Sequence, residues 1–184
     1  LKKALDYLET EPIRNTISIE KARQFAYALY LRARSGRVPS NDLGFLHSAL
    51  LKNHKETWSQ DLAAAWLAAT YKLVKKDEEA NRIFAGLKIG ETVRTDYHYF
   101  YDGFVRDTAI LYLVAKHFPE LVKEIANEKA MRVAFAPLQT SHYNTHSAAF
   151  SLLALDAIFS SAGLAENLKS LKIEEVQAKG VIQE

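Results

Sequence analysis

The chain contains no cysteine, so it can build no disulfide framework, no thiolate nucleophile and no Cys-ligated zinc site. Glycine and proline are scarce, 7 and 4 in 184 residues, and the segments between these breakers carry helical spacing rather than strict alternation, which predicts an all-α protein. An excess of one charge is also missing. The 24 Lys and Arg stand against 22 Asp and Glu, and a net +2 is too weak a field to mark nucleic acid or an anionic membrane as the main partner. No apolar run approaches the ~20 residues of a spanning helix; the longest are broken by Arg106 with Asp107 and by Asp156, so direct membrane insertion is not expected. There is no Gly-rich phosphate loop, no Gly-x-Ser-x-Gly elbow and no basic and aromatic stripe suited to single-stranded nucleic acid. Nothing in the pattern demands an enzyme, and no cofactor is expected. The chain opens on Leu1 without a series resembling a signal peptide, which is read as a mature or excised fragment.

What is present is enough for a packed interior. With 48% hydrophobic and 25% charged residues, the chain is one folded unit or a large piece of one rather than a disordered segment. Leu1, Ala4, Leu5 and Leu8 follow i, i+3, i+4, i+7 and predict a surface helix; Ala80, Ile83, Phe84 and Leu87 repeat that stripe after the acidic start Asp77-Glu78-Glu79, where carboxylates favour the positive end of the helix dipole. Residues 60–74, 104–115 and 145–159 are apolar round most of their circumference and predict helices covered on several sides. Residues 18–34 form a weaker example, with Ala22, Phe25, Ala26 and Leu29 as the core face. Thr57 and Gln60 have capping-box spacing, Gly36 and Gly163 read as helix stops, and Pro119 breaks the run after Phe118.

Aligning the apolar helices on Ala26, Ala65, Ala109 and Ala149 gives separations of 39, 44 and 40 residues. Each repeat supplies one amphipathic and one mostly apolar helix, so the second is covered only by stacking on adjacent units. Stacked helical hairpins closing into an α/α toroid fit this better than an open solenoid, which leaves its concave face wet and polar. The toroid is expected over residues 1–171. The sparse apolar pattern of residues 172–184 is read as a linker or the first strand of a following domain.

Two stretches concentrate chemistry. Thr95 to Gly103 holds Tyr97, His98, Tyr99, Phe100 and Tyr101 beside Asp96 and Asp102. The residue types allow a sugar or peptide platform with acid or base chemistry, but packing that seals the end of the helical ring is the preferred reading. His142 and His146 have an i, i+4 spacing that could serve a metal, without the Glu of His-Glu-x-x-His; no metal site is assigned. In a ring of hairpins the loops entering successive inner helices share one rim, so His98, Asp102, His142 and His146 could converge there. Arg106 and Asp107, inside an otherwise apolar helix, are expected to form an ion pair or a cap, because an unpaired buried charge is costly. Trp58 and Trp66 are expected to fill space between helices.

Two segments resemble the starts of inner helices in the thioester domain of bacterial α2-macroglobulin-like proteins: Tyr101-Asp102-Gly103-Phe104-Val105-Arg106-Asp107-Thr108-Ala109-Ile110-Leu111, and Tyr143-Asn144-Thr145-His146-Ser147-Ala148-Ala149-Phe150-Ser151-Leu152-Leu153-Ala154-Leu155. Members of that family often carry an aromatic, Thr-Gln, an acidic or polar residue, Ala, an aromatic and a Leu-Leu-Ala-Leu-like run; here His146 stands for the Gln and Ser147 for the acidic residue. The resemblance runs from about Leu1 to Gly163. It implies the later part of an α/α toroid, a periplasmic or cell-envelope location, and a large parent that traps proteases. It also implies neighbouring domains as partners, with Tyr97, His98, Tyr99, Tyr101, Asp102, His142 and His146 as a candidate interdomain or ligand rim. In the family a Cys-x-Glu-Gln motif forms an internal thioester; this chain has no Cys, so no thioester residue is assigned to it. Two rivals are an α/α-toroid carbohydrate enzyme, which predicts Asp96 or Asp102 facing a cleft, and a tetratricopeptide-type scaffold with an open peptide groove. The repeats exceed the usual 34 residues of the latter.

Overall fold

The computed structural model describes residues 17–96 and 100–161. The expected surface helix at Leu1–Leu8, the stop at Gly163 and the segment 172–184 lie outside them. The described residues are helical throughout, joined by turns and one isolated bridge. In chain order the helices are α1 (Ile19–Arg34), α2 (Ser40–Asn53), α3 (Leu62–Leu73), α4 (Asp77–Ala85), α5 (Gly103–His117), the single turn α6 (Val122–Ile125), α7 (Glu128–Gln139) and α8 (Thr145–Ser161).

The helices form two layers. Helices α1, α3, α5 and α8 stand side by side in chain order, each packed on the next, while α2 backs α1 and α3, α4 backs α3, and α6 and α7 back α5. The alternation of apolar and amphipathic segments thus becomes an alternation of inner and outer helices. Every residue from Leu62 to Tyr71 in α3 and from Phe104 to Ala115 in α5 is buried, which an apolar circumference permits only because neighbours stand on both flanks and behind. Trp58 and Trp66 are both buried between helices.

The inner row is bent. Although α3 stands between α1 and α5, side chains of those two helices meet past it: the Tyr30 hydroxyl lies 2.8 Å from His117 Nε2, and Arg34 Nη1 donates to the Tyr112 hydroxyl at 3.4 Å. Trp66 of α3 sits in the hollow, its ring centroid 4.8 Å from Tyr27 and from Tyr30 and 6.0 Å from Phe150 of α8. Aromatic rings therefore line the concave side. The opposite side of α3 meets the outer layer, where His47 Nδ1 shares a 2.9 Å hydrogen bond with Tyr71.

Each inner helix opens on a side-chain cap. Ser18 Oγ accepts from Lys21 N–H at 3.4 Å, Asp61 Oδ1 from Ala63 N–H at 2.9 Å, Asp102 Oδ1 from Val105 N–H at 2.8 Å and Asn144 Oδ1 from Ser147 N–H at 3.0 Å. These oxygens satisfy N–H groups that an α-helix leaves without partners at its start. The cap-to-cap separations of 43, 41 and 42 residues are more even than those between the alanines. The expected capping box at Thr57 and Gln60 is not formed: Thr57 makes no side-chain cap bond, residues Trp58–Gln60 make a 3-10 turn, and α3 begins instead at Asp61.

A second correction concerns α8. Only Ser147, Ser151, Ala154 and Ala157 of it are buried, a single stripe of small residues against α5. Its far flank is wet, with Leu152 at 69% and Leu153 at 46% exposure and Phe159 also exposed. The helix is apolar all round as the sequence predicts, but among the described residues it has an inner neighbour on one side only.

Arg106 and Asp107 explain how α5 can carry charge in its buried first turns. Arg106 is wholly buried. Its Nε donates to the Gln60 carbonyl at 2.6 Å, Nη2 to the Lys88 carbonyl at 2.9 Å and to Gln60 Oε1 at 3.3 Å, and Nη1 to Asp107 Oδ1. Asp107 Oδ2 accepts from Gly90 N–H at 2.8 Å. The expected ion pair is there, and it also fastens the loop after α4 to the helix start. Burial pushes the Asp107 carboxyl up, against the pull of Arg106.

Candidate rim site

Because every inner helix starts at the same end of the molecule, their first turns converge. They border a half-open cavity of about 140 Å³ lined by Glu20, Arg23, Gln24 and Tyr27 of α1, Leu62 and Trp66 of α3, Phe100, Tyr101 and Val105 around the start of α5, and His146 and Phe150 of α8. The caps place these side chains. Ser18 sets Glu20 and Arg23 in the first turns of α1, and the reciprocal pair Asn144 N–H to Ser147 Oγ at 2.9 Å and Ser147 N–H to Asn144 Oδ1 at 3.0 Å sets His146 in the first turn of α8.

One polar cluster floors the cavity. Arg23 Nε lies 2.9 Å from both oxygens of Asp61, and the guanidinium lies 3.6 Å over the Tyr101 ring, a cation–π contact. The Tyr101 hydroxyl donates to Asp61 Oδ2 at 3.4 Å. Arg23 Nη1 is buried and has no hydrogen-bond partner among the described residues. Burial raises the Asp61 carboxyl above its ordinary value although Arg23 pulls it down. Burial, with the Asp61 charge alongside, pushes the Tyr101 hydroxyl up, so that group remains a protonated donor.

The turn leading into α5 closes the rim. Asp96 N–H donates to the Tyr101 carbonyl at 2.7 Å and Tyr101 N–H to the Asp96 carbonyl at 3.0 Å. Between them Phe100 adopts φ +50°, a left-handed conformation unfavourable for an aromatic residue, and remains 62% exposed.

Of the residues singled out from sequence, Tyr101 and His146 line the cavity. Asp102 stands beside it as the cap of α5. His142 is exposed in the turn before α8, its N–H bonded to the Pro137 carbonyl at 3.0 Å, and is not among the lining residues. Tyr97, His98 and Tyr99 lie outside the described residues, so the convergence of His98 with the others is not on view. His146 packs edge-on to Phe150 at 5.1 Å, and among the described residues no three His, Asp or Glu side chains are grouped to hold a metal ion. Asp96 and Asp102 are not among the residues that line this cavity. Sequence reasoning missed Arg23, Asp61 and Glu20. Their only signal was the run of Ser and Asp caps at even spacing.

These features define a class: a curved array of helical hairpins whose inner helices present their capped starts on one rim. Comparison with known proteins gives the family. The chain is 32% identical to the alpha-2-macroglobulin homolog of Yersinia pestis in an alignment taking in 97% of this chain and 9% of that protein. It is 34% identical to alpha-2-macroglobulin of Pasteurella multocida (strain Pm70) over 76% of this chain, and 31% identical to that of Rickettsia conorii over 80%, with 8% of each relative covered. The chain belongs to the bacterial α2-macroglobulin-like family. It spans less than a tenth of the length of these relatives. No family model and no solved structure matches it. No helix among the described residues is long and apolar enough to cross a membrane.

Proposed function

We propose that the chain is the later part of an α/α-toroid domain, of the thioester-domain type, in a bacterial α2-macroglobulin-like protease inhibitor of the periplasm or cell envelope. Its role there is non-catalytic. It is a rigid wall whose rim meets neighbouring domains while the parent traps proteases. The observation that carries this reading is the one-sided burial of α8: α3 and α5 each have an inner helix on both flanks, whereas α8 has a wet apolar flank where a further inner helix of a ring would stand. Large exposed apolar patches mark such contacts. The small fraction of each relative that the chain spans supports a longer parent.

The test uses the full-length parent and a protease acting on a protein-sized substrate. Leu152→Glu, which puts a charge on the flank of α8 away from the core, is expected to reduce inhibition about tenfold or more, since a buried unpaired carboxylate is costly. Inhibition equal to that of the unmodified parent would remove the ring. A parent that never inhibits would remove the trap.

A further inference from the structure

We propose that the rim cavity binds a small soluble organic cation of the trimethylammonium type, seated against tilted aromatic rings with the Glu20 carboxylate as its counter-charge. The proposal goes beyond the reading of the chain as a wall and does not depend on it.

The walls favour a cation. Tyr27 of α1, Trp66 of α3, Phe150 of α8 and Phe100 in the turn before α5 bring aromatic rings to one hollow from four parts of the chain. The Tyr27 and Trp66 rings are inclined at 56° with centroids 4.8 Å apart, and those of Trp66 and Phe150 at 54° and 6.0 Å. Rings tilted in this way do not lie flat on one another, so each keeps part of a π face for a guest. Such faces attract cations, and methylated ammonium groups above all, because their charge is diffuse and their surface apolar. The fold already uses this attraction once here, in the Arg23 guanidinium 3.6 Å over the Tyr101 ring.

Charge selects the same sign. Arg23 is matched by Asp61, whose oxygens both lie 2.9 Å from Nε, and its Nη1 is buried out of a ligand's reach. Arg106, deeper in, is matched by Asp107. Glu20 is the charge left over in the lining, with no ion pair among the described residues. Its own backbone N–H, the Ser18 side chain and the charges of Arg23 and Arg94 hold its carboxyl below the ordinary range. An anion would meet that carboxylate with no free cation to receive it. A sugar would find only Glu20, Gln24 and His146 to bond its hydroxyls in an otherwise apolar lining. A methylated cation needs no hydrogen bond and is drawn both by the rings and by Glu20.

Size and access agree. The cavity holds about 140 Å³, close to the engineered ~150 Å³ apolar cavity that admits benzene, and a trimethylammonium group has comparable bulk. Because the cavity is half-open, the remainder of the solute stays in water. At its edge Phe100 combines a left-handed backbone with a largely exposed ring, and strained residues cluster where ligands are clamped.

The experiment is a ligand-observed NMR titration of the 184-residue chain with choline and, separately, with its uncharged carbon analogue, in which a tert-butyl group replaces the trimethylammonium. Saturable binding of choline, about tenfold or more tighter than the analogue, is expected. Glu20→Gln keeps the shape of the lining but removes its charge, and is expected to narrow that gap about threefold or more. Tyr27 and Phe100 are both exposed, so Tyr27→Leu combined with Phe100→Leu removes two ring faces without touching the core. This variant is expected to weaken choline about fivefold or more and the analogue by less than about twofold. Choline that fails to saturate, equal affinity for the two probes, or a gap unchanged in either variant would each overturn the proposal. Flotation of the chain with phosphatidylcholine vesicles is not expected, and would overturn a free solute as the source of the cation. Leu152 lies outside the cavity lining, so failure of the ring reading and failure of this site are told apart.

Discussion

At the scale of single residues, burial rather than charge count decides what the ionisable groups do. His117 is the clearest case. Burial, assisted by Arg34 and Lys116, lowers its pKa from 6.5 to about 4, and its Nε2 shares the 2.8 Å hydrogen bond with the Tyr30 hydroxyl. Since the folded state resists protonation more than the unfolded one, this imidazole adds stability above pH 6.5 that is lost as pH falls toward 4. The expected loss is about 2 kcal/mol after allowance for its partial exposure. Urea unfolding of the original chain and His117→Asn, each at pH 7.5 and near pH 4.5, measures it. The variant is expected to show the smaller decline, and parallel declines would contradict the assignment. The pairing of Arg106 with Asp107 was legible from sequence because adjacent opposite charges in an apolar run have few other fates. The pairing of Arg23 with Asp61 was not, because the partners are 38 positions apart and only the bending of the row brings them together.

At the scale of elements, the helices were legible wherever their own sequence fixed their start or their stripe. The acidic opening and apolar spacing of α4 match the structure, with Ala80, Ile83 and Phe84 buried. The start of α3 was harder to read than that of α8, which falls at Thr145 where the expected helix at 145–159 begins. Asp61 was hidden within an expected helix at 60–74, and the Asn144–Ser147 exchange lacks the Glu of the usual capping box. The loop after α4 carried no periodic signal, although it ties three elements together. Gly90 there has φ +82°, donates its N–H to Asp107, and would bring an added Cβ to 2.8 Å from Val133 Cγ1 of α7. Gly90→Ala therefore combines backbone strain with a clash, and a loss of about 2 kcal/mol is expected in thermal or chemical unfolding. A loss under about 0.5 kcal/mol, the range of an ordinary surface change, would show that the loop simply moves aside.

At the scale of the whole molecule, all-α architecture and hairpin alternation followed from the absence of breakers and the two kinds of apolar pattern. The burial of α8 did not follow, because an apolar circumference states what a helix needs and not which neighbours it has. Leu152, Leu153 and Phe159 leave that need open. The 184-residue chain studied alone is accordingly expected to self-associate through this flank, as sedimentation velocity would register. Leu152→Glu combined with Leu153→Glu is expected to return it to monomer. A concentration-independent monomer in the original chain would contradict this.

The common starting edge of α1, α3, α5 and α8 also has a mechanical consequence. A body resting on that edge touches stretches from Glu20 to Phe150 simultaneously, so a force drawing it away along the helix axes loads four anchorages together instead of unzipping them one after another.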